Sequence, residues 1–492
     1  MLRKKKQNSG LVLYFPIILF ALYSLLLIGF LLFGPLRWNL QNPGLFWFYI
    51  ISYKVMCIAG YVVATKKYTV TDATYLSQFP RVIAPTPERI TRMLWWFLAI
   101  CFVMTFFRYR SVTASDTLLP FALPANFIRG LINPASQYTL LHGREMQGNN
   151  ILTLIMAVFS FASWSLIPVF TMLWDKAKTL QKWVFLYLCF FEIALWVSVG
   201  TNKGTFDTLF KLAISLFLYV TIRLVQSTEK ISWFKILMGR KAFVVATVLV
   251  GLFAVWFFTH TMNTRLNNDM AEAVETHPHP EEVASVDLAI QGSEGAFTVP
   301  PAELPPEASA MRAQFHTLMV MGQYYLTNGF YGFSLALDKP WQPTYLVGNS
   351  HFLTLNFYQM TGIDMWQRTY HVQIEEVWPP LQTWSTLYLW LANDFHFIGV
   401  IFVMLLLGAF FAITWKDAVC GNNIISQCLI TLFAIIFLYI PANNQVFSQV
   451  HTFFAFWMLA ALWFLFRFIL PRYYARKDST SQKRLEGSTS GQ

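Results

Sequence analysis

The sequence predicts an all-α polytopic membrane protein with one large, partly helical outer loop. Two observations support this fold class. Hydrophobic residues make up 56% of the 492 residues and charged residues only 12%, which is about half the charged fraction of a typical soluble domain. Apolar runs long enough for a helix to cross a hydrocarbon core of about 30 Å recur along the chain, and they indicate about ten spans.

The apolar runs also predict where each span lies. In chain order the predicted spans are 11–34, 45–65, 93–107, 151–174, 183–200, 204–223, 242–260, 396–415, 424–441 and 450–470. The third span is the shortest of them and is rich in aromatic residues.

Lysine and arginine in the short connections predict the orientation. They concentrate at the N-terminus (MLRKKK), in the connections after the second, fourth and sixth spans, and in the C-terminal tail. Such residues are retained on the cytoplasmic side of a bacterial-type inner membrane, so we expect both termini in the cytoplasm. This bias accounts for the formal net charge of +11 and makes a nucleic-acid partner unnecessary.

The spans divide the chain into four regions. These are an N-terminal bundle at 1–260 with an outer loop at 108–150, a periplasmic loop at 261–395, C-terminal helices at 396–471 and a cytoplasmic tail at 472–492. Within the periplasmic loop, 271–310 holds eight acidic residues, six prolines and no lysine or arginine, a composition typical of a mobile linker.

The remainder of that loop, 311–395, is rich in aromatic residues and glycine, and we expect ordered helices on the membrane surface there. Its tryptophans suit the headgroup zone of a bilayer, and sugar stacking is the alternative role for each. They are Trp341, Trp366, Trp378, Trp384 and Trp390.

A basic turn, GTNKG, opens the sixth span. Lys203, Asp207 and Lys211 follow at intervals of four residues, so a helix would place them on one face. That stripe is either a self-paired packing element or a cationic lining for an anionic headgroup. Glu192 and Lys54, also within spans, are expected to pair with structural neighbours.

Further candidates lie in the two outer loops. Arg144 stands in a glycine- and asparagine-rich stretch, HGREMQGNN, which predicts a close turn near a ligand. Arg108 and Arg110 would simply flank the third span. In the second loop Arg312 and His316 are four residues apart and would share a helix face.

His351 follows a Gly-Asn-Ser turn and is predicted to open a helix that ends at Gly362. Histidine exchanges protons near neutral pH without special tuning. Arg368 follows that helix, and Asp394 stands at the start of the eighth span, where an N-cap is its ordinary role. No HExxH motif, Cys/His cluster or P-loop occurs in the sequence, so we expect no metal and no cofactor.

These residues, in this order, resemble the O-antigen and oligosaccharide repeat-unit polymerases, relatives of the O-antigen ligases with a glycosyltransferase C-like membrane architecture. The resemblance spans roughly 140–415 and rests on the GTNKG turn, on Arg312 before YLTNGFYG, and on the helix from His351 to Gly362. Asp394 in WSTLYLWLANDFHFIG matches the polymerase pattern of an aspartate at the start of the span after the loop.

The resemblance implies a reaction at the periplasmic face. A growing glycan leaves its polyprenyl diphosphate and joins a newly arrived, lipid-linked repeat unit. The resemblance further implies that Lys203 and Arg312, with Arg144 as a further candidate, hold the diphosphate, and that His351 accepts the proton of the attacking hydroxyl. The ligases usually carry arginine where this chain has Lys203, and lysine binds phosphate without a bidentate grip.

Supporting roles are expected for Asp394, Asp207, His316 and Arg368. The implied partners are the bilayer, the lipid-linked oligosaccharide, a chain-length regulator and a flippase.

Three other functions remain open. A ligase would move finished glycan to another acceptor, a carrier or flippase would make no bond, and an assembly scaffold would have no site.

Overall fold

The computed structural model describes residues 9–67, 87–113, 117–138, 151–227, 232–276, 297–298, 310–380 and 383–469. Within these ranges nine helices are long and apolar enough to cross a membrane, and a tenth apolar helix, Ile424–Tyr439, is shorter. The predicted fold class, an all-α polytopic membrane protein, is confirmed.

The helices are α1 (Ser9–Phe33), α2 (Pro43–Lys67), α3 (Pro87–Thr113), α4 (Leu123–Ile132), α5 (Ile151–Leu173), α6 (Thr179–Ser198), α7 (Lys203–Gln226), α8 (Trp233–Met238), α9 (Lys241–Thr276), α10 (Ala310–Ala336), α11 (His351–Thr361), α12 (Tyr370–Gln373), α13 (Leu387–Val419), α14 (Ile424–Tyr439) and α15 (Val450–Phe464). A π-helical turn, Leu465–Ile469, follows α15. Two short strands, β1 (Arg37–Trp38) and β2 (Phe297–Thr298), pair antiparallel.

Three helices extend beyond the predicted spans. Helix α3 begins at Pro87 and ends at Thr113, because its polar ends lie outside the apolar run that hydropathy detects. Helix α13 begins at Leu387, where the Thr386 hydroxyl accepts a hydrogen bond from Leu389 N–H and caps it. It breaks at His396, whose φ is +57°, so the predicted boundary at 395/396 falls at this break and a separate helical segment precedes it.

Helix α9 continues to Thr276, into the segment predicted to be a mobile linker. Of the rest of that segment, only β2 and Ala310 belong to the described residues. The cytoplasmic tail predicted at 472–492 lies outside them as well.

Helices α2 and α13 share the most extensive helix–helix contact of the described residues. An ideal Cβ on Gly60 would lie 2.0 Å from the Leu405 carbonyl oxygen, and one on Gly408 would lie 2.0 Å from the Cys57 carbonyl oxygen. Only glycine permits this approach, and small residues at crossings are the usual means of packing helices within a membrane. Helix α1 contacts α2, and α14 contacts α13, while α3, α5, α6, α7 and α9 contact one another.

Several connections between helices meet at one end of the bundle, which we call the loop end and define by residues 34–42, 117–138, 199–202, 310–380, 383–386 and 440–449. Gln323 Nε2 donates a hydrogen bond to the Leu36 carbonyl oxygen at 2.8 Å. Asn444 Nδ2 donates to the Asn349 carbonyl oxygen at 2.7 Å. These bonds join segments that are far apart in sequence, so the loop end is a packed layer.

Two of the five tryptophans predicted for the headgroup zone belong instead to the core of this layer. Trp378 is 1% exposed and Trp390 is 8% exposed. The Trp378 indole donates a hydrogen bond to the Trp384 carbonyl oxygen at 2.9 Å, and its ring packs against Gly332, where a Cβ would lie 2.6 Å from the ring. The headgroup assignment is therefore wrong for these two residues.

Candidate functional site

A cavity of about 60 Å³ lies inside the helix bundle near the loop end. It is enclosed by α3, α5, α6, α7 and α15, and its lining is rich in charged and aromatic side chains. The lining residues are Met104, Arg108, Ser160, Ser163, Trp164, Glu192, Trp196, Lys203, Asp207, Lys211, Gln449, His451 and Thr452.

The charged stripe on α7 faces this cavity. Lys203, Asp207 and Lys211 all line it, which confirms that the four-residue spacing places them on one helix face. Asp207 is 8% exposed and Lys211 is 4% exposed. Ionisable groups so deep in a membrane bundle are costly, and they usually face a cavity that serves a function.

Arg108 and Glu192 form an ion pair on the cavity wall. The guanidinium Nη1 lies 2.6 Å from the Glu192 carboxylate, and the two side chains are 18% and 17% exposed. The Trp196 indole donates a hydrogen bond to the same carboxylate at 3.0 Å. The expectation that Glu192 pairs with a structural neighbour is thus confirmed, and the pair holds α3 against α6.

Lys211 has a different environment. Its ammonium lies over the Trp164 ring, 4.6 Å from the ring centroid. The ion pairs of the described part of the chain include neither Lys211 nor Asp207. Buried charges of this kind need polar groups in the cavity to offset several kcal/mol of desolvation, and an anion would satisfy Lys211.

A smaller cavity of about 30 Å³ adjoins the first and lies between α3, α5, α6 and α7. Arg108, Ser163, Glu192 and Lys211 line both. The remaining lining of the smaller cavity is largely apolar and consists of Cys101, Thr105, Leu166, Ile167, Leu188, Cys189 and Thr208. The charged groups therefore stand at the junction of a polar and an apolar space.

The GTNKG turn brings Lys203 to the cavity through its glycines. Gly200 has a φ of +69°, which favours glycine, and a Cβ there would lie 2.0 Å from the Pro134 carbonyl oxygen. At Gly204 a Cβ would collide with the Trp196 ring at 1.7 Å. Trp196 can therefore lie beside the turn, and the Lys203 ammonium lies 5.6 Å from its ring centroid.

His351 opens α11 as predicted, and Gly362 ends that helix with a φ of +72°. The His351 side chain is exposed and does not line the cavity. Its ring centroid lies 4.8 Å from that of Trp366. Phe352, its neighbour, contacts Phe453 at a centroid distance of 5.4 Å, so α11 lies against the first turn of α15, which carries His451.

Asp394 does not cap the helix start. It lies within α13, just before a break at His396, whose φ is +57°. Its carboxylate accepts hydrogen bonds from Thr344 Oγ1 at 2.5 Å, from Gly348 N–H at 3.0 Å and from Asn349 N–H at 2.9 Å. The N-cap interpretation is wrong, because Thr386 caps α13, and Asp394 instead fixes the turn that precedes His351.

The other predicted site residues are placed only in part. Arg312 and His316 belong to α10, but their side chains lie outside the described residues, as does Arg144 altogether. Arg368 ends the short helical turn that begins at Trp366. The predicted gathering of Lys203, Arg312 and His351 therefore stays a prediction.

Two ionisable residues of the cavity, Arg108 and His451, were not predicted as site residues. Arg108 was assigned to the flank of a short third span, and the longer α3 turns it inward. His451 carried no signal, because its neighbours in the cavity come from other helices. For Arg108 a signal existed: Glu192 is an opposite charge at a matching depth of a neighbouring span.

Fold and cavity together define a polytopic α-helical membrane protein with a charged internal cavity near its loop end. No protein-family model, no curated protein and no solved structure matches the chain.

Proposed function

We propose that the chain is a glycosyltransferase of the bacterial inner membrane that joins polyprenyl-diphosphate-linked oligosaccharide repeat units on the periplasmic face. The product is a surface polysaccharide of the O-antigen type, and polyprenyl diphosphate is the leaving group. The observation that carries the proposal is the grouping of Arg108, Lys203 and Lys211 around one cavity near the loop end.

The charge balance of the cavity suits a diphosphate. Three basic side chains face two carboxylates, Glu192 and Asp207, which leaves one positive charge in excess. Arginine can bind phosphate oxygens bidentately, and lysine offers a compact charge. The apolar space next to Lys211 suits the first carbon atoms of a lipid tail.

The proposed chemistry is charge stabilisation by fixed cations. As the bond between the sugar and the diphosphate breaks, the leaving group keeps the electron pair and its negative charge grows. Cations held in a low-dielectric cavity favour that change over the ground state. The attacking hydroxyl gives its proton to His351, and the new glycosidic bond forms at the carbon that the diphosphate leaves.

The membrane orientation in this proposal is inferred from the lysines and arginines in the connections between helices. Among the described residues, lysines and arginines concentrate at the end of the bundle opposite the loop end, where α2 and α7 end and where α6 and α9 begin. By the positive-inside rule this end is cytoplasmic. The cavity then opens toward the periplasm, where flipped lipid-linked repeat units arrive.

A carrier of lipid-linked sugars is the second candidate. Asp207 and Lys211 favour it, because ionisable residues without ion-pair partners inside a bundle also mark translocation paths. A carrier moves its substrate across the bilayer without making a bond, so the two candidates differ in their products.

The test is reconstitution of the purified chain in liposomes with its lipid-linked repeat unit in the outer leaflet. We expect longer glycans on the lipid and one released polyprenyl diphosphate for each glycosidic bond that forms. Movement of intact substrate to the inner leaflet without bond formation would establish the carrier instead. Transfer only to an added second acceptor would establish a ligase.

A further inference from the structure

Four rings form a continuous row beside the start of α11. The centroid of Trp366 lies 4.8 Å from that of His351 and 5.5 Å from that of His371, and His371 lies 4.1 Å from Trp390. We call His351, Trp366, His371 and Trp390 the aromatic row. Its first member is exposed, Trp366 is partly exposed, and the last two are buried, so the row leads from the surface inward.

Hydrogen bonds to Asn393 fix the tautomer of His371. Asn393 Oδ1 accepts from Tyr370 N–H at 2.9 Å, and Nδ2 donates to the Gly348 carbonyl oxygen at 2.8 Å. The second Nδ2 hydrogen then points to His371 Nδ1, at 3.3 Å. Nδ1 is therefore the acceptor, and the ring proton lies on Nε2. Burial, with a smaller effect from His351, lowers the pKa of His371 to about 3, which keeps the ring neutral.

The inner half of the row carries polar atoms with unused hydrogen-bonding capacity. His371 Nε2–H, Trp390 Nε1–H and Ser350 Oγ, one residue before His351, are buried and have no hydrogen-bond partner in the described part of the chain. An unsatisfied buried donor costs about 1–3 kcal/mol, and native structures nearly always satisfy such groups. Ring packing alone does not account for three of them around one row.

We propose that the aromatic row binds a sugar ring of the acceptor repeat unit. A pyranose has an apolar face of C–H groups and a rim of hydroxyls, which matches ring faces beside a few fixed polar groups. The hydroxyls accept from the two N–H donors and exchange hydrogen bonds with Ser350 Oγ. Asp364, Gln367 and Arg368 lie on the exposed or partly exposed side of the Trp366 turn and extend the polar rim.

The position of the row supports an acceptor role. The Asn349 carbonyl oxygen, just before Ser350, accepts a hydrogen bond from Asn444 at 2.7 Å. The segment that begins at Asn444 continues to Gln449 and His451, which both line the cavity. The row thus adjoins the charged cavity through one connection. The inference rests on the proposed function for the nature of the glycan.

The test uses the repeat-unit oligosaccharide released from its lipid by mild acid, which carries no diphosphate. Its binding to the purified chain in nanodiscs is measured by saturation-transfer difference NMR. We expect Trp366→Ala to weaken binding roughly tenfold and Trp366→Phe, which keeps a ring, to retain most of it. Tyr358→Ala is the matched control, because Tyr358 is an exposed aromatic residue of α11 outside the row.

Equal affinity of the wild type and Trp366→Ala, or no binding by the wild type, would overturn the sugar site. Lys211→Met separates this failure from that of the proposed function. It should leave binding of the lipid-free oligosaccharide unchanged and abolish polymer formation from the lipid-linked unit. If the wild type forms no polymer although binding depends on Trp366, the polymerase proposal fails and the sugar site stands.

Discussion

Arg108 of α3 and Glu192 of α6 form an ion pair at 2.6 Å on the wall of the internal cavity. Neither side chain is fully buried, and Arg108 Nε has no hydrogen-bond partner in the described part of the chain. The guanidinium can therefore hold α3 and α6 together while it keeps hydrogen-bonding capacity for a ligand. Structural and functional roles of Arg108 can be separated by a double-mutant cycle.

In that cycle Arg108→Leu and Glu192→Leu should each lower the free energy of unfolding by roughly 2 kcal/mol. This value lies between the cost of breaking a fully buried pair and that of an exposed one. The double variant should recover most of the loss, because no charge is left unpaired. Thermal unfolding in detergent micelles measures these differences, and additive losses would show that the two side chains do not stabilise each other. Polymer formation should be lost in Arg108→Leu and should not return in the double variant, because the proposed site needs the Arg108 guanidinium.

The packing of α2 on α13 gives a second prediction. Gly408→Ala should destabilise the chain by roughly 1–3 kcal/mol, because the new methyl group would collide with the Cys57 carbonyl oxygen and push the helices apart. Gly29→Ala in α1 is the control, since a Cβ added at Gly29 would meet nothing within 4 Å, and it should be neutral or stabilising. Thermal unfolding in detergent micelles compares the two variants. Equal effects of both substitutions would refute the close contact between α2 and α13.

The carboxylate of Asp394 should control the turn before His351. Asp394→Asn replaces one acceptor oxygen by a donor, so it loses at least one of the hydrogen bonds from Gly348 and Asn349. Amide hydrogen exchange over 344–352 should accelerate roughly tenfold, which corresponds to about 1.4 kcal/mol of local opening. Asp338→Asn at the exposed end of the same layer is the control and should leave these amides unchanged. Unchanged exchange in Asp394→Asn would contradict the assigned role.

The neutral, buried His371 should make stability depend on pH. Its pKa of about 3 lies below the ordinary value of 6.5, so the unfolded chain binds a proton that the folded chain does not. Stability from this group is complete above pH 6.5 and should fall by about 1.4 kcal/mol for each pH unit below it, until the pH reaches the folded-state pKa of about 3. His371→Gln should show a smaller fall in melting temperature between about pH 7 and 5 than the wild type. Identical pH profiles would show that His371 is not held neutral.

Much of the fold could be predicted because its signals are local. Hydropathy located the spans, four-residue spacing placed Lys203, Asp207 and Lys211 on one face, and a Gly-Asn-Ser turn with Gly362 bounded α11. The ends of α3 and the segment of α13 before His396 were missed because polar residues and caps, rather than apolar runs, determine them.

The cavity could not be predicted for a different reason. Arg108, Glu192 and His451 come from three helices far apart in sequence, and only tertiary packing brings them together. Periodicity within one helix carries no information about which faces of distant helices meet. The role of Asp394 was missed in the same way, because its partners at 344–349 precede it by a whole segment of the loop end.

We propose that the diphosphate leaves in the cationic cavity. The most direct test of this claim is the Lys211→Met variant in liposomes supplied with the lipid-linked repeat unit. Lys54→Met is the matched control, because Lys54 is also a buried lysine, but it donates a hydrogen bond to Ser24 Oγ at 3.2 Å and does not line the cavity. With equal amounts of folded protein, release of polyprenyl diphosphate should fall roughly 100-fold in Lys211→Met and stay near the wild-type rate in Lys54→Met. Equal release by Lys211→Met and the wild type would contradict the proposal.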